Sequence, residues 1–463
     1  MDTPVYSFVE NYKASAMSRF HMPGHKGHKF IGCEESDITE IEGADVLSVA
    51  DGIIAASQAN ASHLFCTGQT LYSTEGSSLC IKAMLMAVLM DARLHKDQAR
   101  QGREYILAAR NIHRSMADAC ALIDADIEFI ECLSPGSICE SRVLPEDIEE
   151  YFKNLERCRK KDYPVAVYIT SPDYLGNISD IRGIAKVCTK YSVPLITDNA
   201  HGAYLAFLDE NQHPIKLGAA MCCDSAHKTL PVLTGGAYLH ISEKYKERYT
   251  EFVKRALAIF GSTSPSYLIL QSLDLCNRYI ADGYSKKLYA CIGTINQIKK
   301  YLRNREIPVM DTEPLKIVIN TARAGYTGVE ISTEMRMYGI ECEYADIQFV
   351  VLMITPENEK LDFERIMQWG SSTKLSKYKK NSLVLPDISR KMPERQMTIR
   401  EALMAPSEIV DIKNSAGRIC AEETVSCPPA VPIVMCGEII DKSIINLLEM
   451  YNIKNVCVVS LVK

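Results

Sequence analysis

Short apolar runs alternate with longer amphipathic stretches over much of the first half of the chain. The runs are rich in β-branched and aliphatic side chains, which is typical of buried strands. They lie at residues 105–108, 127–130, 165–169, 193–197 and 237–241. Between them, Pro145 opens an amphipathic stretch with Ile148, Phe152 and Leu155 on one helical face. Strands that alternate with helices predict βαβ units and a mostly parallel sheet.

The pattern changes towards the C-terminus. A long helical stretch over residues 266–303 precedes two further strand candidates, 315–320 and 349–354, with a helix predicted between them at 330–338. These elements predict a smaller α/β domain. Residues 371–395 are rich in Lys, Ser and Pro, which predicts a solvated linker rather than a nucleic-acid-binding arm.

These changes of pattern predict five parts along the chain. They are an N-terminal arm over residues 1–40, a large domain over 41–285, a small α/β domain over 286–370, a polar linker over 371–397 and a C-terminal domain over 398–463.

Composition narrows the class of protein. The 463 residues are 47% hydrophobic and 24% charged, and no apolar run approaches the ~18 residues of a membrane span, which argues against a membrane protein or a disordered chain. The net charge of -6 gives no electrostatic reason to bind nucleic acid, so small molecules are the expected partners. The N-terminus lacks a signal-peptide pattern, and the cysteines are expected to be buried free thiols, which predicts a cytoplasmic location.

No metal site is predicted from the spacing of Cys and His residues. His21 and His25 lie four residues apart, but Pro23 and Gly24 between them oppose the helix that would align their rings. Cys222 and Cys223 are interpreted as buried thiols at the end of a strand.

Two charged residues follow apolar segments and suggest one kind of chemistry. Asp198 ends the apolar run 193–197, and Lys228 lies in the segment 224–229 (DSAHKT), which is followed by Gly235. Alone, such a lysine is usually a surface charge and such an acid is as often a helix cap. Together they fit pyridoxal 5'-phosphate (PLP), because a carboxylate favours the protonated pyridine ring and the cofactor requires a lysine.

Two further segments fit the same cofactor. Residues 72–78 (YSTEGSS) lead into a predicted helix at 77–94, and backbone N–H groups at a helix N-terminus favour a phosphate, although a simple capping turn explains the segment equally well. His113, in the segment 110–115 after an apolar run, could stack on a flat cofactor, although a single histidine is more often a packed side chain.

The order of these segments resembles fold type I PLP enzymes, and specifically the bacterial Orn/Lys/Arg decarboxylase family. Further segments match that family over nearly the whole chain, beginning at about Val5: they are 20–27 (FHMPGHKG), 171–176 (SPDYLG), 262–267 (STSPSY), 416–419 (AGRI), 428–433 (PPAVPI) and 437–438 (GE). The resemblance implies an α/β fold: a fold type I, PLP-dependent transferase-like large domain with a mostly parallel sheet, plus a smaller C-terminal α/β domain. It also implies the short form without an N-terminal wing domain, and hence a dimer rather than a wing-dependent decamer.

The resemblance implies a role for each matching residue. Lys228 would form the Schiff base, Asp198 would pair with the pyridine nitrogen, and His113 and Ala200 would cover the two ring faces. The other cofactor-binding residues would be Thr74, Glu75, Gly76, Ser77, His201, Ser225, His227 and Thr263. His227 would also help Lys228 to deliver a proton. Thr263 would act in the neighbouring subunit, which implies a homodimer with shared active sites.

The activity implied is decarboxylation of a basic amino acid to its amine and CO2, as in polyamine biosynthesis, with arginine favoured over lysine and ornithine. An acidic partner would bind the distal cation of the substrate, with Glu438 the first candidate and Glu343 the second. Two alternatives are another fold type I reaction, such as transamination or aldol cleavage, and a non-catalytic regulatory homologue.

Some positions depart from the family pattern. Glu75 places a carboxylate beside the expected phosphate, where it would be repelled unless the side chain points away. Cys427, Ala430 and Cys436 replace other residues near the region expected to recognise substrate.

Overall fold

The computed structural model describes residues 1–95, 102–130, 137–140, 142–158, 162–376, 393–426 and 431–461. Its strands are β1 (Gln69–Ser73), β2 (Tyr105–Ala108), β3 (Asp126–Phe129), β4 (Ala166–Thr170), β5 (Leu195–Asp198), β6 (Met221–Asp224), β7 (Ala237–Ile241), β8 (Lys316–Asn320), β9 (Tyr344–Ala345), β10 (Phe349–Met353), β11 (Ser407–Asp411), β12 (Thr424–Ser426), β13 (Val431–Val434) and β14 (Asn455–Val459).

The α-helices are α1 (Pro4–Ala14), α2 (Ile53–Phe65), α3 (Gly76–Leu94), α4 (Arg114–Ile123), α5 (Pro145–Arg157), α6 (Ile181–Lys190), α7 (Pro214–Leu217), α8 (Ala226–Thr229), α9 (Lys246–Phe260), α10 (Tyr267–Ala281), α11 (Tyr284–Arg303), α12 (Gly328–Arg336), α13 (Lys360–Ser372), α14 (Ile399–Met404) and α15 (Lys442–Met450). Within the described residues, no helix is both long enough and apolar enough to cross a membrane.

The chain divides into two compact units. The first contains residues 1–107, 148–171 and 180–286, and the second contains 108–147, 172–179 and 287–463.

A seven-stranded sheet has the strand order β1-β7-β6-β5-β4-β2-β3. Strands β4, β5 and β6 pair in parallel, whereas β7 pairs antiparallel with both β6 and β1. Nearly all side chains of β4, β5 and β6 are buried, as expected for parallel strands that are covered on both faces. The predicted α/β fold with a mostly parallel sheet is confirmed.

Most of the predicted strands agree with the structure to within two residues. The apolar pattern did not delimit two further strands of the sheet, β1 and β6, although Cys222 and Cys223 were interpreted as the end of a strand. The sequence of β6, Met-Cys-Cys-Asp, lacks the β-branched residues that mark strands. The helical stretch predicted over 266–303 is present, but the structure divides it into α10 and α11 near Gly283, whose φ of 98° is in the left-handed region.

Among its described residues, the second unit contains three small antiparallel sheets. Strands β8, β10 and β9 form one, β11 pairs with β14, and β12 pairs with β13. Its hydrophobic core includes Val318, Val351, Ile433, Leu448 and Val458, all with little or no exposed surface. A smaller α/β portion, as predicted, is therefore present in this unit.

Candidate active site

Neighbouring strand ends in the first unit bring several polar residues to one edge of the sheet. Asp198, the last residue of β5, is paired in register with Thr170 at the end of β4 and with Cys223 on β6. Strand β6 ends at Asp224 and is followed by Ser225 and by the short helix α8, which carries Lys228. The carboxyl edge of parallel strands is where open α/β sheets bind ligands.

The Asp198 carboxylate is held by three donors. It is 3% exposed. Oδ2 accepts a hydrogen bond from the Tyr168 hydroxyl at 3.2 Å, while Oδ1 accepts from the Ala200 backbone N–H at 3.1 Å and from Cys223 Sγ at 3.7 Å. Burial raises the pKa of Tyr168 well above its usual value, so this phenol keeps its proton and remains a donor. The orientation of the carboxylate is therefore determined before any ligand binds.

Lys228 makes a side-chain contact that its sequence neighbours did not predict. Its Nζ lies 2.9 Å from Nε2 of His201, three residues beyond Asp198. The ring of His227, next to Lys228 in sequence, instead donates from Nδ1 to the Gly236 carbonyl at 3.0 Å, because a carbonyl oxygen can only accept.

The segment 74–77 begins α3 and is joined to the loop after α8. The Gly76 N–H donates to the Gly235 carbonyl at 2.7 Å, and Ser225 Oγ donates to Ser77 Oγ at 2.8 Å. The φ of Gly76 is 71°, a conformation that favours glycine. A Cβ atom at Gly235 would lie 2.9 Å from the Thr74 carbonyl oxygen, so this close approach also requires glycine. The N–H groups in the first turn of α3 have no acceptors within the helix and are suited to an anion.

The carboxylate of Glu75 contacts the loop after α9. Its Oε1 accepts a hydrogen bond from the Ser262 N–H at 2.7 Å, and the side chain is exposed. The exposed Thr263 follows in that loop. A cavity of about 410 Å³ is lined by Thr74, Glu75, Ser262 and Thr263, with Leu79 and Val49 among its apolar walls.

Sequence reasoning missed a buried network behind Lys228. Asp224 Oδ2 accepts from Nε2 of His213 at 3.0 Å and of His240 at 3.2 Å, and Oδ1 accepts from Nδ2 of Asn199 at 2.6 Å. Burial lowers the pKa of His240, which favours a neutral ring. Although burial opposes it, His213 and His240 hold the pKa of Asp224 well below its usual range. The only signal for this network in the sequence is the polar residues in the segments around β6 and β7.

His213, Asp224 and His240 are also of the types and spacing that bind metals. A histidine that binds a metal usually donates its second ring N–H to an acceptor. Nδ1 of His213 has no hydrogen-bond partner among the described residues. Nδ1 of His240, by contrast, lies 2.8 Å from Thr70 Oγ1, and both rings are hydrogen-bonded to Asp224.

Other predicted residues lie in the second unit. His113 caps α4, where its Nδ1 accepts from the Ser115 N–H at 3.1 Å. Oε2 of the buried Glu438 accepts from Nη2 of Arg110 at 2.8 Å and from the Met435 N–H at 2.8 Å. Oε1 of the exposed Glu343 accepts from the Tyr174 hydroxyl at 2.7 Å.

Of the positions that depart from the family pattern near the C-terminus, one can be described. Cys436 is buried, and burial raises the pKa of its thiol. Cys427 and Ala430 lie outside the described residues, as does most of the predicted linker.

An acidic cluster in the second unit surrounds Asp173, which lies in the segment 171–176. Its Oδ1 accepts from the Asn177 N–H at 2.9 Å and its Oδ2 from Nδ2 of Asn177 at 2.8 Å, and the same amide nitrogen contacts Glu140 at 3.3 Å. The ammonium of Lys316 donates to the carbonyls of Asp173 and Tyr174, both at 3.1 Å. Burial raises the pKa of Asp173 to about 7.

The raised pKa of Asp173 predicts a stability effect that depends on pH. Between about pH 4 and pH 7 the folded state binds more protons at this site than the unfolded state, whose Asp173 has a pKa near 3.8. This residue's contribution to the free energy of unfolding should therefore decrease as pH rises through that window, by a few kcal/mol (roughly 1.4 per unit). We expect the free energy of unfolding of the wild type minus that of Asp173→Asn, both measured by urea unfolding, to be more positive at pH 5 than at pH 8. An equal difference at both pH values would contradict this assignment.

The first unit thus offers the groups that PLP needs at one sheet edge. The lysine amine suits the aldehyde of the cofactor. The buried carboxylate on a neighbouring strand suits its pyridine nitrogen, and the helix N-terminus with serine hydroxyls suits its phosphate. The chemistry of this donor set fits the cofactor.

Comparisons with known proteins identify the family. Residues 3–322 match the family Orn/Lys/Arg decarboxylase, major domain, and residues 383–455 match its C-terminal domain. Arginine decarboxylase of Bacillus subtilis is 27% identical over 95% of this chain and 91% of its own length. Arginine decarboxylase of Bacillus anthracis is 26% identical over 95% and 91%.

Solved structures show the same fold. The constitutive lysine decarboxylase of E. coli is 16% identical and covers 99% of this chain and 82% of its own, with a TM-score of 0.77. The lysine decarboxylase LdcF of Francisella novicida, also 16% identical, covers 99% and 81% with a TM-score of 0.78. The family match extends over more than half of the chain and covers the strands and loops that carry Asp198 and Lys228. The chain therefore belongs to the Orn/Lys/Arg decarboxylase family and is a PLP-dependent amino-acid decarboxylase.

Proposed function

We propose that this enzyme decarboxylates arginine in preference to lysine or ornithine. The observation that carries the decarboxylase chemistry is the pairing of Lys228, on the short helix after β6, with His201, on the segment after β5, the buried strand that ends in Asp198. The choice of arginine is supported by curated relatives named arginine decarboxylase, which align over most of both chains. The lysine decarboxylase structures, at 16% identity, support the fold alone.

The proposed roles of the residues follow the family resemblance. Lys228 would hold the cofactor covalently, Asp198 would pair with its pyridine nitrogen, and Ala200 and His113 would cover the ring. Thr74, Gly76, Ser77, Ser225 and His227 bind the phosphate, with the backbone of residue 75. When bound, PLP supplies the electron sink for loss of CO2. Tyr168 and the Ala200 N–H keep the Asp198 carboxylate in one orientation.

Glu438 and Glu343 remain the proposed partners for the distal cation, and their surroundings differ. Glu438 is buried and already forms an ion pair with Arg110, so a substrate cation would have to share that carboxylate. Glu343 is exposed and accepts from one hydroxyl, which leaves acceptor capacity for the planar fork of a guanidinium.

We further propose that the enzyme is a cytoplasmic homodimer and that Thr263 completes the site of the neighbouring subunit. Support comes from large apolar side chains of the predicted N-terminal arm, since exposed apolar patches mark protein interfaces. Phe20 is 95% exposed, Ile31 86% and Phe30 79%. The domain division predicted from the sequence is part of the same proposal.

A product screen tests the proposal. The PLP-loaded enzyme is incubated separately with arginine, lysine and ornithine, and amine and CO2 are quantified. We expect agmatine and CO2 in equal amounts from arginine, with a kcat/KM at least about tenfold above those for the other two, because a site built for a guanidinium leaves polar groups unpaired with a shorter or simpler cation. A keto acid would indicate transamination, and an absence of CO2 from all three would refute the proposal.

A further inference from the structure

His201 is placed to exchange a proton with Lys228. Its Nε2 lies 2.9 Å from Nζ, and its side chain is 5% exposed. The family resemblance implies that His227 helps Lys228 to deliver a proton. In the structure, however, the ring of His227 donates to a backbone carbonyl. The structure thus adds a second histidine, from a different loop, to the lysine amine.

The loop that carries His201 is fixed to the strand that precedes Lys228. The Asn199 N–H donates to the Cys223 carbonyl at 2.9 Å, and the Asn199 side chain donates to Asp224 at 2.6 Å. The Gly202 N–H closes the turn on the Asn199 carbonyl at 2.7 Å. A Cβ atom at Gly202 would lie 2.1 Å from Asn199 Oδ1, so a larger residue would displace the side chain that anchors the loop. Hydrogen bonds to β6 therefore fix the segment that carries His201, and Lys228 follows the same strand in the sequence.

We propose, on the basis of the proposed function, that His201 is a catalytic residue that takes a proton from the Lys228 ammonium and later returns it. A lysine amine is normally protonated at neutral pH and must lose that proton before it can act as a nucleophile. The step breaks one N–H bond at Nζ and forms one at Nε2, leaving a lone pair on Nζ and a positive charge on the imidazole. An ammonium only donates, so the accepting Nε2 carries no proton beforehand, and the ring proton is on Nδ1.

The test measures capture of the cofactor by the lysine, a readout separate from decarboxylation. PLP is added to the apo-enzyme, and the Schiff-base absorbance is followed in time, with borohydride trapping and mass spectrometry to locate the bond at Lys228. For His201→Ala we expect capture about 10²-fold slower than in wild type, in line with the usual contribution of a positioned base. Added imidazole should restore much of the rate. His63→Ala removes an exposed histidine on α2 and should leave capture unchanged.

A second variant guards against a merely structural effect. His201→Gln retains a side chain of similar reach that can form hydrogen bonds but cannot carry the proton, so it should be as slow as His201→Ala and should not respond to imidazole. Wild-type capture rates in the two variants would overturn the proposal. A slow His201→Ala that imidazole does not rescue, together with a normal His201→Gln, would also overturn it, because positioning alone would then explain the defect. If the wild-type protein captures PLP but releases CO2 from none of the three amino acids, the proposed function fails while the proton exchange remains measurable.

Discussion

Replacement of Lys228 by alanine is expected to abolish amine formation, lowering kcat by more than about 10³-fold, together with the Schiff-base absorbance of the bound cofactor. The proposed covalent bond between the cofactor and the protein forms at this amine. His201, which contacts it, is proposed to remove its proton. Because Lys228 lies on a short helix and is only half-buried, its loss should leave the fold intact. Circular dichroism and thermal unfolding should match the wild type, while absorbance and amine production are lost.

A matched control is Lys186→Ala, which removes an exposed lysine on α6. This variant should retain both absorbance and activity. Persistence of decarboxylation in Lys228→Ala, or loss of activity in both variants, would contradict the assignment of Lys228.

Much of the fold could be predicted because burial in a parallel sheet leaves a clear pattern. The runs that correspond to β2, β4, β5 and β7 are apolar and bounded by polar segments. This pattern can be recognised in the sequence without knowledge of the tertiary structure. The apolar pattern did not delimit β6, because two cysteines and an aspartate are poor strand indicators, although Cys222 and Cys223 were interpreted as the end of a strand. Asp224 is tolerated there because buried histidines satisfy it. That compensation comes from residues distant in sequence.

The candidate site was predictable where chemistry follows directly after a strand. Asp198 was found in this way, and Lys228 was found from its segment taken together with Asp198. The structure brings both segments to one edge of the sheet. Tyr168 and the contact of His201 with Lys228 could not be predicted, because both depend on register and side-chain direction. Tyr168 reaches Asp198 from the neighbouring strand, two residues before the end of β4. A one-residue change in register would have turned that phenol to the other face of the sheet.

The surroundings of Asp198 imply a graded response to substitution. Asp198→Asn keeps Oδ1 as an acceptor for the Ala200 N–H and fills the same volume, so the variant should fold. The negative charge proposed to favour the protonated pyridine is lost, and kcat should fall by about 10²–10³-fold, the usual cost of removing one preorganised electrostatic group. The bound cofactor should also show a shifted absorbance. Tyr168→Phe keeps the carboxylate and removes one donor worth about 1 kcal/mol, so its kcat should fall by only about fivefold.

The comparison of these two variants distinguishes charge from packing. If Asp198 acted only as a buried hydrogen-bonding residue, Asp198→Asn and Tyr168→Phe would cost similar amounts, because each alters the same hydrogen bond. If its charge stabilises the protonated ring, the aspartate variant should be at least about tenfold slower than the tyrosine variant. Asp282→Asn, an exposed residue after α10, is the control for the substitution itself and should behave as wild type. Equal losses in Asp198→Asn and Tyr168→Phe would argue against the electrostatic role of Asp198.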